Sequence, residues 1–123
     1  MWPTWHSRVD NVNAPAYSSS MGGDVHHVVR DCLFVWNSEK AAGKLKKHGV
    51  SFSEACEVFF FPYYRMEDAG GYNEERWTMT GYTMRGRLLR VVTVELGDVG
   101  WRIISAREVT PRERERYEEG YDT

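Results

Sequence analysis

The stretch CLFVWNSEKAAGKLKKHGVSFSEACEVFF, residues 32–60, decides the fold. Cys32 to Trp36 is a short apolar run of strand length, rich in residues that suit a pleated surface. It ends at Asn37, a good helix N-cap. From Ser38 to His48, Ala41, Ala42 and Leu45 fall on one side and Lys40, Lys44 and Lys47 largely on another. That spacing predicts an amphipathic helix stopped by Gly49. Ser51 with Glu54 three residues on is a capping-box pattern that opens a second helix through about Phe59. Pro62 closes it and leads into a loop or irregular strand over 65–73, where Gly70 and Gly71 mark a turn.

Downstream, Glu75–Tyr82, Arg87–Leu96 and Trp101–Glu108 are three β-rich runs. The turn signals between them, Met84 to Gly86 and Gly97 to Gly100, favour antiparallel neighbours. A last helix starts at Thr110, with Pro111 in the first helical position and Glu113 completing a capping box, and ends near Gly120. Its body, RERERYEE, reads as a solvated, salt-bridged face. The expected fold is α+β: two N-terminal helices packed on an antiparallel sheet of about four strands, plus a C-terminal helix, in a single domain over residues 31–123. Residues 1–30, rich in Ser, Asn, Pro and Gly and without an apolar period, are expected to form a flexible N-terminal extension. His6, His26 and His27, in or beside that stretch, read as exposed polar residues rather than metal ligands.

A chain of 123 residues holds one domain with a modest core. No run approaches the roughly 20 consecutive apolar residues of a membrane span, and the N-terminus lacks the apolar run of a secretory signal. The expectation is a cytoplasmic protein with no membrane partner. Cys32 and Cys56 stand in apolar surroundings without CxxC spacing, so they read as buried thiols; no metal and no cofactor is expected. The net charge of −2 argues weakly against a nucleic-acid binder, but its distribution differs. Four lysines against Glu39 give residues 37–48 a net +3, and six arginines against Glu95 and Asp98 give residues 76–107 a net +4. Brought together by folding, these segments make a local cationic surface, which is what a polyanion feels.

Side chains alternate faces along a strand, so the arginines can be sorted by parity. Trp77 and Met79 share one face of the first meander strand and Trp101 and Ile103 one face of the third, leaving Arg76 and Arg102 on the opposite side. Arg90 lies with Leu88, Val92 and Val94. If the Trp77 and Trp101 faces pack under the helices, Arg76, Arg90 and Arg102 point from the open side and can clamp phosphate with fixed, permanently charged donors. Strict alternation sets Arg107 opposite Arg102, at a strand end from which it can swing to the rim. The competing reading pairs these arginines with Glu74, Glu75, Glu95 or acids of the last helix. The phosphate-clamp reading requires guanidiniums that converge in space and are not consumed by internal carboxylates.

The run FVWNSEKAAGKLKKHGVSF from Phe34 to Phe52, with Glu54, Ala55, Val58 and Phe59, resembles the opening of BrnT-type toxins. EERW at Glu74–Trp77, GRLLRVV at Gly86–Val92, RIISAR at Arg102–Arg107 and the TPRERERYEEG ending continue the resemblance over roughly residues 34–120. It implies a RelE-like fold and metal-independent cleavage of RNA that halts translation. It also implies a BrnA-type antitoxin that wraps the toxin and covers its active surface, operator DNA being bound only indirectly through that antitoxin. Departures are Lys44, where the family commonly carries Asn, the Phe60–Phe61 pair in place of acidic residues, and the 30-residue leader.

RNA is cut without metal when the 2′-hydroxyl loses its proton and attacks its own phosphate while cations stabilise the transition state and an acid protonates the leaving oxygen. The candidates for phosphate stabilisation are Arg76, Arg102 and Arg107; for proton transfer, His48 or Glu75; for RNA binding, Lys44, Lys47 and Arg90. An imidazole titrates near neutrality, which favours His48, although a helix-terminal histidine also caps carbonyls. Glu75 has the competing role of an ion pair with a neighbouring Arg. The alternative function is a non-catalytic RNA- or protein-binding domain, a degenerate toxin, using the same basic sheet face. Separation of both His48 and Glu75 from Arg76 and Arg102 would favour it.

Overall fold

A computed structural model describes residues 23–71 and 75–120. The described elements are β1 Asp24–Val29, β2 Cys32–Asn37, α1 Ser38–His48, α2 Phe52–Ala55 continued by a 3₁₀ turn Cys56–Phe60, β3 Arg65–Asp68, β4 Trp77–Tyr82, β5 Leu88–Leu96, β6 Gly100–Glu108 and α3 Pro111–Glu119. The strands form one sheet in the order β1-β2-β6-β5-β4-β3. All neighbours are antiparallel except β2 and β6, which run parallel. The α+β class holds, but the expected antiparallel sheet of about four strands is a mixed sheet of six. The second expected helix is one α turn that tightens into 3₁₀.

β1 corrects the boundary of the expected N-terminal extension. Residues 24–29 pair along the whole of β2 through a two-residue connection, with Val29 opposite Cys32. Both connecting residues, Arg30 and Asp31, have positive φ, 49° and 69°. That conformation suits a tight hairpin and usually signals itself through Asn-Gly or Asp-Gly; an Arg-Asp pair carries no such signal. His26 and His27 are accordingly half-buried strand residues, His27 lying 5.6 Å from the Trp36 ring. Residues 1–22, including His6, lie outside the described residues.

The core sits between one sheet face and the layer made by α1, α2 and the 3₁₀ turn. Phe34, Phe52, Val58, Met79, Val91 and Ala106 are almost wholly removed from water there. Cys56 is buried in this core and donates to the Phe52 carbonyl at 3.2 Å, and burial pushes its thiol pKa up; Cys32 is half-buried. α1 is capped as its sequence dictates. Asn37 accepts the Lys40 N–H, and Gly49, left-handed at φ 71°, returns its N–H to Leu45. Its orientation differs from the expected one. Leu45 is 48% exposed, and the half-buried stripe is Ala41, Lys44 and His48, one helical face at three- and four-residue spacing. α1 has no buried residue and packs on β6 and β2 through this partly polar stripe.

β6 carries an irregularity that positions the site. Val92 pairs with Ser105 and Thr93 with Ile103, so Ile104 is an extra residue with no partner of its own. One inserted residue reverses the alternation beyond it. Ile103 and Ala106 therefore both enter the core although three residues apart, at 2% and 0% exposure.

α3 lies on the opposite face, near β3, β4 and β5, and contributes no buried residue. Thr110 and Glu113 form the expected capping box, each backbone N–H meeting the other side chain. At α2 the expected box is half made. Ser51 accepts the Glu54 N–H at 3.0 Å, but the Glu54 carboxylate turns inward to Thr83 and Arg87. No helix among the described residues is long and apolar enough to cross a membrane.

Candidate functional site

The bulge at Ile104 brings Arg107 back to the face that carries Arg102, which strict alternation forbids. Arg90 is directly opposite Arg107, and Thr80 is opposite Arg90, so these side chains form one cross-strand row. Arg102 is opposite Val94 on the same face; the β4–β5 register, continued by one residue, sets Arg76 on the far side of Val94. The arginines thus fall into two rows, separated by the four residues from Arg90 to Val94, about 13 Å along the strand.

Neither row is bare. Glu113 of α3 accepts from both terminal nitrogens of Arg107, at 2.8 and 2.9 Å, and its Oε2 stands 3.7 Å from Arg90 Nε. Like charges directly opposite one another across strands repel, and this carboxylate offsets the repulsion. The Arg107 hydrogen bonds, outweighing burial, pull the Glu113 carboxyl down to about 2. In the other row Arg102 forms a two-pronged pair with Asp24 of β1, at 3.0 and 3.3 Å, which lowers the Asp24 pKa. Convergence on one face is therefore met, and freedom from internal carboxylates is not.

His48 belongs to the Arg107 end. It closes α1 on the stripe that faces the sheet, with Lys44 one turn back and Lys47 beside it. Its imidazole is held below the ordinary range by burial first, then by the positive charges of Lys47, Lys44 and Arg107. Desolvation and like charge both disfavour imidazolium, so the ring is neutral over more of the range in which a base must accept a proton. Glu75 and Arg76 precede β4 and sit at the other end of the sheet. Glu75 is exposed and five residues from Thr80, about 17 Å along the strand from the Arg90–Arg107 row. The sequence-derived candidates are thus divided. His48, Lys44, Lys47, Arg90 and Arg107 lie toward one end of the sheet, and Glu75, Arg76 and Arg102 toward the other.

Sequence reasoning missed the acids that organise these groups. Glu113 was legible as a capping residue and, among the acids of the last helix, as an arginine partner; Asp24 was legible only as part of a leader. Glu54, 6% exposed, takes Arg87 on both oxygens at 2.6 and 3.1 Å and Thr83 at 2.9 Å. Its sequence signal was the cap position alone. Among the described residues no group of three His, Cys, Asp or Glu side chains is placed to hold a metal ion. Two concavities, of about 400 and 380 Å³, lie along α3 and beside Phe60 and Phe61; neither is lined by His48 or Arg107.

Among solved structures the chain is similar to the ribonuclease toxin BrnT of Brucella abortus, with a TM-score of 0.51 and 20% identity over 61% of this chain and 92% of that one. That likeness concerns the fold. No curated protein matches. Residues 36–113, most of the described chain, match the family model described as ribonuclease toxin, BrnT, of type II toxin–antitoxin system. The chain belongs to the BrnT family of ribonuclease toxins of type II toxin–antitoxin systems.

Proposed function

We propose that this chain is a metal-independent endoribonuclease with its reaction centre at the end of α1 and β6. The observation that carries the reading is the packing of α1, which carries Lys44 and Lys47 and ends at His48, on β6, which carries Arg107. Neutral His48 takes the proton of a ribose 2′-hydroxyl, the oxygen attacks the adjacent phosphorus, and Arg107 stabilises the charge on the pentacoordinate phosphate. As the bond from phosphorus to the 5′-oxygen breaks, an ammonium of Lys44 or Lys47 gives that oxygen a proton. Arg90 widens the cationic row, and Arg76 and Arg102 hold the strand further along the same face. Glu75 stands apart from this centre, at the end of the sheet that carries Arg76. In the cell the expected consequence is translation arrest in the cytoplasm, relieved by a BrnA-type antitoxin that covers the basic face and carries the operator-DNA binding.

A second reading is favoured by the engagement of Arg90, Arg102 and Arg107 by internal carboxylates: a non-catalytic RNA- or protein-binding domain on the same face. Incubation of refolded protein with RNA in EDTA separates the two. The enzyme reading expects cleavage that survives the chelator. Retention of intact RNA by folded protein would leave the binding reading standing.

A further inference from the structure

We propose that Arg87 is a positioning residue that sets His48 against Arg107, an inference that rests on the proposed reaction centre. The guanidinium of Arg87 reaches three elements at once. Its Nη2 donates to the carbonyl of Gly49 at 3.0 Å, the residue after His48. Its Nη1 donates to Glu108 at 3.0 Å, the residue after Arg107. Its Nε and Nη2 are anchored on the nearly buried Glu54 carboxylate, at 3.1 and 2.6 Å. The backbone of Arg87 is fixed in turn, its carbonyl accepting from Thr83 N–H at 2.9 Å and its N–H donating to Thr83 Oγ1 at 3.3 Å. One rigid planar fork therefore ties the chain just beyond the proposed base to the chain just beyond the proposed phosphate ligand.

Lysine does not reproduce this. It carries the charge but not the planar set of donors that fits several acceptors in fixed directions. The end of α1 is set by the Gly49 cap on Leu45 and by the fully buried Val50, and the Arg87 fork grips the Gly49 carbonyl between them. A displacement of about 1 Å between reacting groups lowers a rate by as much as ~100-fold, so a fork on this backbone carbonyl bears on chemistry without touching RNA.

The charged groups facing His48 are Lys44 and Lys47 from α1 and Arg107 from β6. Glu113 stands behind Arg107, and Glu108 behind Arg87. The test is an NMR titration of His48 in the wild-type chain, in Arg87→Lys and in Glu108→Gln, with thermal unfolding of each and single-turnover RNA cleavage where the wild type cleaves. Arg87→Lys keeps the charge, and Glu108→Gln spares the buried Glu54 anchor, so at least one variant reports on a folded protein. Withdrawal of His48 from Arg107 raises its titration midpoint in both. In Glu108→Gln that rise opposes the lowering that loss of a negative charge produces by itself, which isolates displacement from electrostatics. Cleavage is expected to fall about 10-fold in kcat with KM unchanged. A His48 midpoint that stays put in both variants while the unfolding temperature drops would overturn the proposal and leave Arg87 a stabilising residue only. A wild type that never cleaves refutes the reaction centre, while the titration still reports whether Arg87 positions His48.

Discussion

The two arginine rows share a sheet face but are restrained in different ways. Arg90 and Arg107 are held by Glu113, which is simultaneously the capping residue of α3 and lies within the segment matched to the toxin family. Arg102 is held by Asp24, which comes from β1, outside that segment, and whose side chain is 40% exposed. One restraint thus lies within the matched segment, its carboxylate 24% exposed; the other comes from the edge strand, its carboxylate 40% exposed. The difference teaches that equal geometry, a carboxylate gripping two guanidinium nitrogens, does not mean equal strength. Surroundings set how far water competes for each partner.

The comparison breaks most visibly in activity. Arg107→Ala is expected to lower the rate of RNA cleavage by about 100-fold or more, in line with loss of a transition-state donor, whereas Arg102→Ala lowers it only several-fold. Cleavage time courses on both variants, with circular dichroism to confirm folding, check this. Equal losses would mean that the two rows act as one site.

The legible part of this contrast is local. α1 and α3 announce their ends through Asn37, Gly49, Thr110 and Glu113, because a cap is made within three or four residues. The pairing of β2 with β6, the Arg30–Asp31 hairpin and the extra Ile104 depend on partners distant in sequence or on backbone conformations that these residue types do not advertise. The orientation of α1 depends on the sheet beneath it for a related reason. Leu45 is the most apolar residue of its helix, yet the sheet accepts Ala41 and the stems of Lys44 and His48, because a small residue permits close approach and a long one keeps its charge in water. Arg107 and His48 were recognisable as chemistry, but the choice of Glu113, Asp24 and Glu54 as partners is a property of the folded chain.

A stability experiment sharpens the contrast further. Glu113→Gln removes the counter-charge between two facing arginines and is expected to cost about 1–2 kcal/mol, while Asp24→Asn, at a more exposed pair, costs under about 1 kcal/mol. Urea unfolding at low and high salt reads both. The Asp24→Asn difference should shrink more in salt than the Glu113→Gln difference.

The smallest effect is in pH. The carboxyls of Glu113, Asp24 and Glu54 all titrate below their ordinary range in the folded chain. The unfolded chain therefore takes up protons first as pH falls, and the stabilisation present above the ordinary carboxylate range drains away below it, for Glu113 down to about 2. His48 adds a weaker slope near neutrality. Its folded pKa is depressed, so the unfolded chain binds more protons in that window and stability rises gently with pH. Unfolding curves between pH 2 and 8, compared with Glu113→Gln, should show a shallower acid limb in the variant.

The lone unpaired residue of β6 has an implication for heredity rather than energy. Ile104 matters more as a place in the count than as a side chain, since the turn of Arg107 toward Arg90 requires one residue too many between Ile103 and Ser105. Point changes of the codon leave that tally intact, but its in-frame loss would swap inside for outside along the strand's remaining length. A lineage escaping its own poison would find in such a deletion one of the shortest routes to a harmless chain.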